Sequence, residues 1–75
     1  MRNGRITINP EIRFGKPIIR GTRITVSDIL GLIAAGYAIK DIPNQYPELT
    51  NDDIVAAIEF VSQFIEHPTQ TISQL

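Results

Sequence analysis

The chain has 75 residues, no cysteine and a formal net charge of −1, which bounds it to one small domain with no disulfide to reinforce its core. The overall charge hides two halves of opposite sign: six cations against Glu11 through Arg23, then Lys40 against seven carboxylates from Ile24 onward. Apolar residues make up 43%, enough for a packed core, but no run approaches the ~18 apolar residues of a membrane-spanning helix.

Ile6-Thr7-Ile8 alternates apolar and polar and stops at Asn9-Pro10, the pattern of a short strand ending in a turn. Glu11 to Lys16 is a polar link, with Gly15 and Pro17 as breakers. Two β-prone runs follow, Ile18-Ile19 and Ile24-Thr25-Val26, joined by a turn containing Gly21 with Arg20 and Arg23 on either side. Two or three strands this short are marginal in water, so they must pack on helices or pair with a second chain.

The spacing predicts a first helix over Val26–Ala35. Thr25 followed three residues later by Asp28 is a capping-box start, Val26, Ile29, Leu30, Ile33 and Tyr37 share one face, and Gly36 is a left-handed stop. A second helix is expected within Ile39–Tyr46, short or distorted because Pro43 sits inside it, and ended by Pro47. A third begins after Thr50, whose partner Asp53 repeats the capping pattern, and runs to Glu66. Ile54, Ile58, Val61 and Ile65 form its stripe, widened by Ala57, Phe60 and Phe64 to about half the circumference, more than a simple surface helix requires. The tail, residues 69–75, is polar and is expected to fray beyond a single domain spanning residues 1–68.

Nothing in the sequence assembles a catalytic site. His67, the only histidine, precedes Pro68 and reads as a helix-end residue facing the last carbonyls. Glu48, Asp52 and Asp53 read as compensation for a helix dipole rather than as metal ligands, and no phosphate-cradling glycine loop exists. The expectation is a binding protein with no catalytic residue, no metal and no cofactor. With no apolar leader core after the basic start, a cytoplasmic location is expected.

For binding, the cations are the first candidates. Arg13, Lys16, Arg20 and Arg23 are placed to neutralise phosphates, and a two-fold dimer would double that footprint. The competing reading has Arg20 and Arg23 pairing with Asp28, Asp41 or Glu48 to lock the turn, and Arg2 and Arg5 merely solvated. The third helix contains no Lys or Arg and carries Asp52 and Asp53 in its first turn, so duplex DNA is expected to meet the ribbon rather than that helix. Phe60 and Phe64 are either core residues or anchors for a protein partner.

The run Gly15-Lys16-Pro17-Ile18-Ile19-Arg20-Gly21-Thr22-Arg23-Ile24, followed by Ile29-Leu30, Gly36-Tyr37, Ile42, Tyr46-Pro47 and Leu49-Thr50, resembles the bacterial domain-of-unknown-function family numbered 433. The resemblance covers roughly residues 6–67. It implies an α+β, mostly helical fold, a short N-terminal β ribbon followed by a three-helix homeodomain-like helix-turn-helix unit. It also implies the antitoxin half of a toxin–antitoxin pair with a PIN-like ribonuclease as partner; the small core and the basic end add the expectation of a homodimer that binds promoter DNA, with a stand-alone DNA-binding regulator or a structural dimerisation module as the alternatives. Two positions depart from the family pattern: Thr25, often Pro, which still caps, and Ala38, often a capping residue, which weakens the start of the second helix.

Overall fold

A computed structural model of the chain describes residues 3–65. In order these form β1 (Ile6–Thr7), β2 (Ile18–Ile19), α1 (Val26–Ala34), α2 (Ile42–Gln45) and α3 (Asn51–Ile65), with 3-10 turns at Asn3–Arg5, Arg13–Gly15 and Ile39–Asp41. The fold is α+β and mostly helical, a ribbon followed by three helices, as the sequence predicts. Residues 1–2 and 66–75 lie outside the described part, and with them Arg2, His67 and the tail.

The ribbon is antiparallel, with Ile6 opposite Ile19 and Thr7 opposite Ile18. The Arg20 amide donates to the Arg5 carbonyl at 2.7 Å and lengthens the ladder by one bond. The predicted strand at Ile24-Thr25-Val26 is reduced to a single bridge between Thr25 and Ile18. The reason is local: Val26 already opens α1, and the Thr25 hydroxyl accepts from the Asp28 amide as the helix cap. Between the two runs, Thr22 N–H donates to the Ile19 carbonyl at 3.0 Å across Arg20 and Gly21. Gly21 has φ of 81° at the third place of that turn, the mark of type II geometry, which favours glycine. The Thr22 hydroxyl donates to the Ile19 carbonyl and accepts from the Ile24 amide, so it closes the turn from both sides.

α1 stops one residue short of the predicted end. It closes in a Schellman arrangement, Tyr37 N–H to the Leu32 carbonyl and Gly36 N–H to the Ile33 carbonyl, with Gly36 at φ 103°. The distorted second helix separates into the Ile39–Asp41 turn and the four-residue α2, with Pro43 in its first turn; Ala38 supplies no side-chain cap. Ile19, Ile24, Val26, Ile29, Ile42, Leu49, Ile54 and Ala57 form one buried cluster drawn from β2, the three helices and the loops between them, with Ile6 of β1 packed against it. Ala56 and Ala57 are buried on α3, where small side chains permit close packing. The predicted stripe on α3 leaves the core as the helix advances: Ile54 is buried, Ile58 and Val61 are half-buried and Ile65 is exposed. Among the described residues no helix is long and apolar enough to cross a membrane.

Candidate functional site

The cations of the N-terminal half divide into two sets. Arg5 donates through Nη1 to Asp53 Oδ1 at 2.8 Å, and its Nη2 lies 3.8 Å from Asp52 Oδ2. Arg13 donates through Nη1 to the Arg23 carbonyl at 2.8 Å and to Asp28 Oδ2 at 3.2 Å. Both carboxylates already serve helix starts. Asp28 accepts from the Thr25 amide at 3.0 Å, and Asp53 accepts from the Thr50 amide at 2.9 Å. Each capping box therefore carries an arginine from the ribbon segment, and the opposite charges of the two halves are partly satisfied inside the chain.

The balance of forces on these carboxylates is clear. Burial is the largest single effect on Asp53 and raises its pKa. The Thr50 amide and hydroxyl and the Arg5 guanidinium together outweigh it and hold the group below the ordinary 3.8. Asp28 behaves alike: burial raises it, and the Thr25 amide and hydroxyl with Arg13 bring it below 3.8.

Lys16, Arg20 and Arg23 form the second set. All three side chains are exposed, and none forms an ion pair among the described residues. Asp28, offered by the sequence as a partner for Arg20 or Arg23, is taken by Arg13 instead. Arg5, read from the sequence as solvated, is an internal ion-pair partner. Of the four cations singled out for DNA, Arg13 is thus committed within the chain, whereas Lys16, just before β2, and Arg20 and Arg23, on the turn after it, form no ion pair among the described residues.

The same bond that commits Arg13 shapes its neighbour. Arg13, Phe14 and Gly15 take φ values of 50°, 60° and 79°, three successive left-handed residues. Gly15 N–H donates to the Ile12 carbonyl and Lys16 N–H to the Arg13 carbonyl, which close the turn. Phe14 projects from it 95% exposed. Sequence reading passed over this residue as part of a polar link; its one signal is a lone aromatic between two cations and next to Gly15.

At the other end of the molecule, Phe60 packs half-buried against the core, and Phe64 is 67% exposed. Their rings meet edge to face, 5.4 Å apart at 71°. Phe64 and Ile65 leave an apolar end on α3 among the described residues, whereas Phe60 belongs with the core. Asp52 and Asp53 are occupied by Arg5 and the α3 cap, and among the described residues no three His, Cys, Asp or Glu side chains gather around a common point.

A family model described as protein of unknown function (DUF433) matches residues 6–61. The chain belongs to the DUF433 family. A crystal structure of a DUF433 member from Anabaena variabilis superposes with a TM-score of 0.76 at 32% identity, over 92% of this chain and 68% of that one. The uncharacterized protein y4eO of Sinorhizobium fredii is 35% identical over 49 residues, 65% of this chain. The chain spans 22% of that relative's length.

The DUF433 match takes in both capping boxes, Arg13, the strained turn and the three free cations, whereas Arg5 falls one residue before it and Phe64 and Ile65 just beyond it. The resemblance drawn from the Gly-Thr-Arg-Ile run is thereby borne out. Its physical content is now explicit: Gly21 supplies the positive φ, Thr22 closes the turn, Arg23 lends its carbonyl to Arg13, and Ile24 enters the core.

Proposed function

We propose that this DUF433 protein is a non-enzymatic, antitoxin-like binding module in the cytoplasm. It forms a homodimer, holds a PIN-like ribonuclease and binds duplex DNA. The DNA surface is the ribbon turn, with Lys16, Arg20 and Arg23 on phosphates. The observation that carries this reading is the sorting of the cations. Two are consumed by capping carboxylates, and three are left exposed and without an ion pair among the described residues, Lys16 just before β2 and Arg20 and Arg23 on the turn after it. Unpaired arginines beside one another repel and contribute nothing to the fold; they are useful when an anionic partner arrives and releases its counterions.

The ribonuclease would meet the apolar end of α3, with Phe64 and Ile65 as its anchors and Phe60 beneath them. An arginine of the turn is a second means of inhibition, since the metal site expected of a PIN-like ribonuclease is acidic and an arginine placed there would fill it.

Co-expression with a small PIN-like ribonuclease tests the assignment. The complex should co-purify, ribonuclease activity should be absent from it, and Phe64→Ala should release the activity. DNA binding by a chain that neither retains nor inhibits that ribonuclease would instead identify a stand-alone regulator. Failure of both measurements would leave only dimerisation.

A further inference from the structure

We infer that Phe14 is a wedge that enters duplex DNA between two base steps while Lys16, Arg20 and Arg23 hold the flanking phosphates. This rests on the DNA-binding reading above and adds to it the element that would deform the duplex.

Three observations converge on Phe14. It is the most exposed large hydrophobic side chain among the described residues. It also occupies a left-handed conformation that L side chains avoid, so neither burial nor backbone preference accounts for an aromatic there. A strained, exposed residue persists only when its surroundings impose it. The surroundings are explicit: Arg13, bonded to Asp28 and to the Arg23 carbonyl, pins the turn to the start of α1 and to the basic loop, and the two backbone bonds fix the rest. The turn that carries the ring is therefore tied to the Arg23 carbonyl through Arg13, Lys16 follows two residues on, and no carboxylate occurs between Glu11 and Asp28 in the sequence.

An exposed aromatic on a turn bonded to the cation-bearing loop calls for a partner that combines negative charge with flat apolar faces. Nucleic acid supplies both, phosphates for the cations and base stacks for the ring. Single-strand binders use several aromatics along a groove. Here one ring stands alone at a tip, as in the proteins that insert a single apolar wedge into the minor groove and kink the duplex. A wedge needs bulk rather than a π face, so leucine should substitute for phenylalanine, which a stacking platform would not allow.

The test uses the full chain and a short mixed-sequence duplex carrying 2-aminopurine at its TA steps. The same sequence as a single strand and phosphatidylserine vesicles serve as competing probes. The parent should bind the duplex, raise the 2-aminopurine fluorescence and bend the DNA. Phe14→Ala should bind about tenfold more weakly, with neither the fluorescence rise nor the bend and with the salt slope unchanged. Phe14→Leu should keep most of both signals. Phe14→Gly, which suits the left-handed turn, should melt no lower than the parent and be as impaired on DNA as Phe14→Ala, which separates the effect from unfolding. If Phe14→Ala binds and unstacks like the parent, the wedge is refuted and the basic-turn reading stands. If the parent binds no duplex, both fall. Preference for the single strand with Phe14→Leu as impaired as Phe14→Ala, or binding to vesicles alone, would equally overturn the wedge.

Discussion

At the level of single residues, two positions carry backbone conformations that decide what a substitution does. Gly21 sits at φ 81°, and a Cβ there would meet nothing within 4 Å, so the penalty for a side chain is conformational rather than steric. Gly21→Val should therefore cost about 1–3 kcal/mol, read as a lower midpoint in urea. Coincident melts of variant and parent would show that the turn relaxes freely. Phe14 is the opposite case, an L side chain where glycine fits. Phe14→Gly relieves about 1–2 kcal/mol of left-handed strain and returns about 0.5–1 kcal/mol as unfolded-chain entropy, so a net gain of up to about 1.5 kcal/mol is expected. Gly21 was legible because glycine between two β-prone runs has one common use. Phe14 was not, because positive φ at a non-glycine residue leaves no mark in composition or periodicity.

At the level of elements, the helix starts are the parts most directly written in the sequence. Thr25-x-x-Asp28 and Thr50-x-x-Asp53 predict capping boxes, and the structure forms both. What local patterns do not contain is the arginine on each. Arg5 and Asp53 are 48 residues apart, and no short-range rule links them. Such charge-assisted bonds stitch the ribbon to α1 and α3, but Arg5 is partly exposed and solvent screens it. Arg5→Ala should thus cost only about 1 kcal/mol, against about 2–3 kcal/mol for Asp53→Ala, which removes the cap as well. The same carboxylates set the acid limit. Their folded pKa values lie below the ordinary 3.8, so the stability they contribute is complete above that pH and disappears as pH falls through the lowered values. Thermal melts should be level above about pH 5 and drop below about pH 4, and Asp28→Asn with Asp53→Asn should flatten that drop. An acid limb as steep in the double variant would place the pH sensitivity elsewhere. The second helix was the least legible element, since Pro43 permits either a bent helix or a late start. The fold resolves it with a 3-10 turn followed by one turn of α-helix.

At the scale of the whole molecule, one small isoleucine-rich core supports the fold, and the two-residue strands of the ribbon bring to it only Ile19, with Ile6 packed against it. A core of this size is marginal alone. A homodimer at micromolar concentration is accordingly expected, and sedimentation equilibrium returning a folded 8.4 kDa monomer well above that range would contradict it. The charge asymmetry that marks the sequence is the feature most in need of the structure. Composition alone points to an anionic partner for the whole N-terminal end; in the fold, Arg5 and Arg13 already have carboxylates, and among the described residues of that end Lys16, Arg20 and Arg23 form no ion pair. The central claim is that this remainder holds DNA phosphates. The most direct measurement is the salt dependence of duplex binding by Arg20→Ala with Arg23→Ala beside the parent, with melting temperature as control. The account predicts an unchanged melt, weaker binding, and a plot of log affinity against log salt that flattens by about one unit for each phosphate no longer neutralised, counted over both chains of the dimer. Intact binding with an unchanged slope would contradict it.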